Sequence, residues 1–199
     1  MADTGWQNGG TSDGSRGSGT YGWTPPDNVL TDGSGVASVT IITALASSRG
    51  LAVSNFSLAG DIPAGSTIDG IEIQVDDYRF SSGTTFWNDL RLILADDSDG
   101  TQTRHSDIND LSTSNQTDIA GAPTQLWGET IERSDVIDVD WGTYVRIWDD
   151  GGGSSVTNID WIAMKVYYSE TTPTITDVNG TESWTDGDTG LVITGTIFV

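Results

Sequence analysis

Alternation of apolar and polar residues with a period of two is the feature that most constrains the fold of this chain. The clearest case runs from Thr67 to Val75, where Ile71, Ile73 and Val75 occupy every second position. Successive side chains of a β-strand point to opposite faces of a sheet, so this pattern predicts a strand with one buried and one solvated face. The same period recurs at 90–94, 143–148 and 156–168. The chain is therefore predicted to consist mainly of strands.

The composition supports the same fold class. The 25 Gly residues favour tight turns over helices, and the eight Trp, five Tyr and four Phe residues supply bulky material for a core. Several strands at short spacing, joined by turns of Gly, Asp and Ser, are typical of a jelly-roll or Greek-key sandwich. We expect an all-β sandwich with almost no helix.

The alternation covers only the middle of the chain and suggests three parts. Residues 1–35 are rich in Gly, Ser, Thr and Asp without a sustained period, which predicts an extended N-terminal arm. Residues 36–170 are predicted to form the β-sandwich domain. Residues 171–199 contain two further strand-like segments, and two strands cannot bury a core alone.

Three large aromatic residues, Trp6, Tyr21 and Trp23, interrupt the polar N-terminal segment. Aromatic side chains in a flexible arm contribute nothing until they dock, either on the sheet of their own domain or on a neighbouring subunit. We assign these three an anchoring role in assembly. Deletion of residues 1–20 is then expected to leave the sandwich folded and to weaken assembly.

Charge and residue types exclude several function classes. The formal net charge of −21 repels phosphate, so we expect neither nucleic-acid nor membrane binding. The absence of Cys removes disulfides, thiolate nucleophiles and cysteine-based zinc sites. His105 is the only histidine, and its sequence context predicts an exposed loop, so neither a catalytic triad nor a histidine zinc cluster is expected. We therefore predict a soluble protein with no enzymatic activity and no cofactor.

Two binding sites can be considered from the sequence. Asp96, Asp97 and Asp99 form an oxygen-rich turn before Gly100, a composition suited to calcium, and the alternative is solvated turn residues. Trp148 and Trp161 are candidates for stacking on a sugar ring, and the alternative is that both belong to the core.

The segment from Trp23 to Tyr168 resembles bacteriophage and prophage virion-associated β-sandwich proteins. The matching stretches, in the order usual for that family, are IPAGSTIDGIEI at 62–73, QLWG at 125–128 and DWIAMKVYY at 160–168. The tail from Pro173 to Phe198 is similar to the opening of an immunoglobulin-like module of the IPT/TIG type. That similarity rests on Pro-x-Ile-x-x-Val at 173–178 and Gly-x-x-Ile-x-Gly-x-x-Phe at 190–198.

The resemblance implies a structural component displayed on the surface of a phage particle, as a head decoration or a tail fibre, after assembly in the host cytoplasm. Its implied partners are other virion proteins, further copies of itself in a homo-oligomer, and a glycan on the host surface. The main alternative is a carbohydrate-binding module of a surface or secreted protein. A third hypothesis is a polysaccharide depolymerase that uses two carboxylates.

Overall fold

The computed structural model describes residues 1–80, 85–101, 114–149 and 154–170. The strands in these ranges are β1 (Ala2–Asp3), β2 (Gln7–Asn8), β3 (Thr11–Arg16), β4 (Ala37–Ile41), β5 (Ala46–Ser47), β6 (Gly50–Ser54), β7 (Thr67–Phe80), β8 (Thr85–Ile93), β9 (Gln116–Ala122), β10 (Gly142–Asp149), β11 (Ser155–Ile159) and β12 (Trp161–Ser169). The helical residues in the same ranges are α1 (Arg133–Val136) and two 3-10 turns, Pro26–Leu30 and Leu58–Gly60. The prediction of an all-β protein with almost no helix is confirmed for this part of the chain.

The larger sheet is organised around β7. One side of β7 pairs antiparallel with β11 and then β12, which follow each other along its length. The other side of β7 pairs with β9. The outer edge of β11 and β12 is covered by three short segments in line, namely β4, β2 and β1. We call this seven-stranded array the large sheet.

The second, five-stranded sheet is organised around β10 and is called the small sheet. On one side β10 pairs with β8. On the other side β10 pairs with β6 and, further along, with β5. The strand β3 adds to the free edge of β6 and completes the sheet.

The two sheets enclose one main hydrophobic core, to which each alternating segment contributes its inward residues. Residues of this core include Ile71, Ile73 and Val75 of β7, Leu90 and Leu92 of β8, Val145 and Ile147 of β10, and Ile162, Met164 and Val166 of β12. Full burial of one such aliphatic side chain stabilises the fold by roughly 1.5–3 kcal/mol. The molecule is thus a β-sandwich, and the inward faces of these strands are those that the alternation predicts.

The prediction of a separate N-terminal arm over residues 1–35 is wrong, because its first half pairs with both sheets and Trp23 and Val29 of its second half belong to the main core. Residues 2–8 contribute β1 and β2 to the edge of the large sheet, and residues 11–16 form β3 of the small sheet. Edge strands are held mainly by backbone hydrogen bonds, such as that from Gly10 N to Ser54 O (2.9 Å). They therefore need no apolar alternation, which is why the sequence pattern does not reveal them.

The glycines of this segment serve close packing as well as turns. A Cβ atom on Gly14 would lie 2.4 Å from the carbonyl oxygen of Trp23, and one on Gly9 would lie 2.1 Å from Cγ1 of Val53. Neither distance is compatible with a side chain, so the chain approaches its neighbours there only because glycine occupies both positions. A glycine-rich composition here accompanies ordered edge strands.

Other predictions concern segments that the structure describes only in part or not at all. The polar pattern of 101–124 predicts a loop or short edge strands, and residues 116–122 within it form the edge strand β9. His105 and the IPT/TIG-like strands at 171–199 lie outside the described residues. No helix in the described ranges has the length and apolar character needed to cross a membrane.

Candidate functional site

The outward face of β12 carries the most distinctive group of side chains on the sandwich. Ile162, Met164 and Val166 point into the core, so alternation turns Trp161, Lys165 and Tyr167 towards the solvent side of the large sheet. These three side chains are partly exposed.

The N-terminal segment adds to this surface because it runs along the edge of β12. Gln7 pairs with Met164 and Asn8 with Ala163, which places Trp6 beside Lys165. A third strand, β7, supplies Glu72 opposite Lys165 and Gln74 opposite Ala163. We use the term aromatic face for the group Trp6, Asn8, Glu72, Gln74, Trp161, Lys165 and Tyr167.

Lys165 lies at one end of the aromatic face and contacts the other side chains there. Its Nζ lies 4.3 Å from the centroid of the Trp6 ring and 5.3 Å from that of Tyr167. The same Nζ is 3.0 Å from Oε2 of Glu72 and donates a hydrogen bond to the Tyr167 hydroxyl at 3.1 Å. The Tyr167 hydroxyl in turn donates to Glu72 at 2.9 Å. A cation–π contact and a closed set of polar contacts therefore fix Trp6, Tyr167 and Lys165 relative to one another.

This arrangement keeps Lys165 protonated. Burial lowers the pKa of the Lys165 ammonium, but hydrogen bonds to Tyr167 and Glu72 and the charge of Glu72 outweigh that effect and raise the pKa overall. Burial raises the pKa of the Tyr167 hydroxyl, and its hydrogen bond to Glu72 acts in the same direction. Lys165 is therefore a cation and Tyr167 a neutral phenol at neutral pH.

The other end of the aromatic face is centred on Trp161. Its indole Nε1 donates to Oδ1 of Asn8 at 2.9 Å, which fixes the ring beside the N-terminal segment. Between this ring and Lys165 lies the small side chain of Ala163, flanked on paired strands by Gln74 and Asn8. Trp161 and Tyr167 are six residues apart on one strand, which corresponds to about 20 Å. The face is thus an elongated strip with aromatic rings towards both ends and amide side chains between them.

The structure separates the two predicted sugar-stacking residues. On β10, Val145 and Ile147 are fully buried in the core, so the partly exposed Trp148 lies on the outer side of the small sheet. Trp161 lies on the outer side of the large sheet, on the opposite surface of the sandwich. The two tryptophans therefore do not form one platform, and only Trp161 belongs to the aromatic face.

The three predicted anchoring residues also differ in their positions. Trp23 is 4% exposed and donates through Nε1 to Arg49 O at 2.9 Å, so it is a core residue and is not available to a partner. Tyr21 packs against the same core and donates its hydroxyl to Thr43 at 2.7 Å. Of the three, Trp6 lies at the aromatic face.

The predicted calcium ligands do not converge on one point. Arg16 contacts Oδ1 of Asp97 at 2.6 Å and Oδ1 of Asp99 at 3.0 Å, so a cation already neutralises both carboxylates. Asp96 instead accepts hydrogen bonds from the hydroxyl and the backbone N–H of Ser98, and these lower the pKa of its carboxyl group. Within the described ranges no three acidic or histidine side chains are grouped so as to hold a metal ion. The geometry therefore gives the turn a role in an ion pair with Arg16 and does not support a calcium site.

A charged network covers the outer side of the small sheet, and the sequence alone does not predict it. Asp89 pairs with Arg91 at 3.1 Å and also pairs with Arg146. The hydroxyl of Tyr144, which is 4% exposed, donates to Oδ2 of Asp99 at 2.9 Å. Asp89 and Arg91 are close neighbours on β8, but Tyr144 and Arg146 come from β10, more than forty positions away from their carboxylate partners. No single local motif therefore signals the network.

Titration of Tyr144 and Lys165 predicts a loss of stability at alkaline pH. Burial and the neighbouring Asp99 raise the pKa of Tyr144 above its ordinary value of 10.0, and the pKa of Lys165 lies above its ordinary value of 10.5. Both groups bind their protons more tightly when folded, so their contribution is complete below those ordinary values and is lost as pH rises through the folded-state values. We expect the urea midpoint to be flat between about pH 8 and 9 and to fall above about pH 10. Tyr144→Phe should reduce the fall, and an equally steep fall in that variant would contradict the assignment.

No family model matches the sequence, and no curated protein matches it. A solved structure described as "CBM4 structure and function" aligns with 80% of this chain and 93% of its own. The alignment has 13% sequence identity and a TM-score of 0.37. A likeness of this level is too weak to assign the chain to a family or to transfer a ligand to it.

Proposed function

We propose that this protein is a non-catalytic carbohydrate-binding module and that the aromatic face is its binding site. The observation that supports the proposal is the strip of Trp6, Trp161 and Tyr167 on one outer sheet surface, with amide side chains between the rings. Aromatic rings with a polar edge are suited to a ligand that is apolar on one side and hydroxylated on the other. A pyranose ring has that character, because its axial C–H bonds form an apolar surface and its hydroxyl groups lie around the rim.

The geometry suggests how a glycan would be held. Sugar rings would pack against Trp161 at one end and against Trp6 and Tyr167 at the other, over a strip of about 20 Å. Gln74 and Asn8 would exchange hydrogen bonds with the hydroxyl groups between these two points. The contacts among Lys165, Glu72 and Tyr167 hold the rings in place beforehand, which lowers the entropic cost of binding.

The proposal predicts that aromatic residues of the large sheet, and not Trp148, determine binding. Truncation of a central aromatic contact costs about 2 kcal/mol or more, which is roughly a thirtyfold rise in Kd. We expect Trp161→Ala and Trp6→Ala each to weaken binding of the best ligand from a panel of soluble polysaccharides by at least about tenfold. Affinity gel electrophoresis finds the ligand, and isothermal titration calorimetry measures the change.

Trp148→Ala is the matched control, because it removes a partly exposed tryptophan from the opposite surface of the sandwich. It should leave Kd within about twofold of the wild-type value, with circular dichroism used to verify the fold of each variant. Equal losses in the Trp148 and Trp161 variants would place the site elsewhere. Release of reducing ends from the bound polysaccharide would contradict the non-catalytic part of the proposal.

Display on a phage particle stays a prediction from the sequence resemblance. It is compatible with glycan binding, since a virion protein with this function would present the aromatic face to a host surface glycan, and repeated weak contacts from many copies would add in avidity. Mass spectrometry of purified particles would detect the chain there, and electron microscopy would locate it.

A further inference from the structure

The charges around the aromatic face point to the class of glycan that it would accept. Lys165 is the only lysine of the chain, and the described part of the face has no other cation. Its ammonium group is already engaged by Glu72 and the Tyr167 hydroxyl, and it lies over the Trp6 ring. The Lys165 and Glu72 side chains are only 18% and 15% exposed, so the pair is largely withdrawn from solvent.

Carboxylates surround this pair on the same side of the large sheet. Asp3 lies opposite Tyr167, and Asp76 lies opposite Trp161. Asp69 accepts a hydrogen bond from the Ser169 hydroxyl at 2.6 Å, near the end of β12. With Glu72, four carboxylates therefore lie on the same side of the large sheet as the Lys165 ammonium group.

We infer that the aromatic face selects uncharged glycans and that Glu72 is the residue that excludes acidic ones, by holding Lys165 in an internal ion pair. This inference rests on the proposed carbohydrate binding. A uronate carboxylate would need a cationic partner to replace its hydration. While Glu72 pairs with Lys165, the pair has no net positive charge to offer a uronate, and breaking the pair would leave Glu72 as an adjacent uncompensated charge. A neutral sugar needs only to pack against the aromatic rings and to form hydrogen bonds with the amide side chains.

The test measures the ratio of affinities for two probes of matched geometry, β-1,4-linked mannohexaose and the β-1,4-linked hexamer of mannuronate, or the neutral and uronic pair closest to the best ligand of the panel. Isothermal titration calorimetry at low ionic strength gives both Kd values for each variant. For the wild type we expect the neutral probe to bind at least about tenfold more tightly than the acidic one. Glu72→Gln should lower that ratio by at least about tenfold, because it frees the Lys165 charge while preserving side-chain shape.

Two variants make the result specific to the ion pair. Asp69→Asn removes one negative charge from the same surface without freeing Lys165, so the ratio should stay within about threefold of the wild-type value. Glu72→Gln combined with Lys165→Met should abolish the gain in acidic binding. Raised salt should do the same, because the new attraction is ionic. If Glu72→Gln does not fold, Glu72→Ala provides the same comparison.

The outcomes separate this inference from the proposed function. Equal binding of the two probes by the wild type, or an unchanged ratio in Glu72→Gln, would overturn the inference and leave carbohydrate binding intact. A gain in Asp69→Asn as large as that in Glu72→Gln would overturn the role of Glu72. Absence of binding to every neutral and acidic polysaccharide of the panel would overturn both.

Discussion

Replacement of Ile73 by aspartate is expected to unfold the sandwich. Ile73 is fully buried in the main core, on the strand at the centre of the large sheet, between Met164 and Ala120 on the paired strands. These two residues and the core cluster to which Ile73 belongs are hydrophobic, so the new carboxylate would have neither water nor a paired cation. A substitution of this kind costs about 4–5 kcal/mol or more, which is comparable with the whole stability of a typical domain of about 5–15 kcal/mol.

Ile119 provides a matched control for that experiment. It lies on β9 in the same sheet, but it is 45% exposed and faces away from the core. Ile119→Asp makes the same chemical change and should alter the free energy of unfolding by no more than about 1 kcal/mol. Far-ultraviolet circular dichroism and urea titration of the two variants provide the comparison. Similar unfolding free energies would show that the assigned inward face of β7 is wrong.

The long strands of this fold can be predicted because the apolar residues that they bury recur at every second position of their own sequence. The period-two pattern of Ile71, Ile73 and Val75 results from the requirement that one face of β7 be apolar, and the same holds for Leu90 and Leu92 of β8. Each pattern is local, so no knowledge of the partner strands is needed. The prediction of an all-β sandwich is confirmed for that reason.

The N-terminal strands could not be predicted in this way. Residues 11–16 read Thr-Ser-Asp-Gly-Ser-Arg and contain no aliphatic or aromatic side chain, yet they form β3. What holds them is pairing with β6 and contacts of individual residues, such as that of Arg16 with Asp97 and Asp99. Backbone pairing is almost independent of side-chain type, and the ion pairs join residues about eighty positions apart. Neither leaves a local pattern.

The candidate site could be predicted only in part for the same reason. Alternation along β12 is enough to place Trp161 and Tyr167 on one face of the strand, but it does not show which sheet Trp148 belongs to. It also could not bring Trp6 to Lys165, because that contact depends on the N-terminal segment pairing with the edge of β12. The site depends on which strands are neighbours in the sheet. The sequence of a single strand does not contain that information.

Removal of residues 1–16 is expected to destabilise the whole sandwich, in contrast to the behaviour of a separable arm. The deletion exposes the edge of β12, where Thr4 N donates to Val166 O at 3.1 Å and the Thr4 hydroxyl accepts from Val166 N at 3.1 Å. It also exposes the edge of β6, removes the Gly14 carbonyl that accepts from Trp23 N at 2.9 Å, and leaves Asp97 and Asp99 without Arg16.

At about 0.5–1.5 kcal/mol for each hydrogen bond lost, the sum over β1, β2 and β3 exceeds about 4 kcal/mol. Each kcal/mol corresponds to about 2–4 °C for a domain of this size, so Tm should fall by at least about 10 °C or the cooperative transition should disappear. Deletion of residues 1–3 is the matched control, because it removes only β1 and keeps Trp6, β2 and β3. It should lower Tm by only a few degrees. An unchanged Tm after deletion of residues 1–16, measured by differential scanning calorimetry, would show that this segment contributes nothing to the fold and would restore the separable arm.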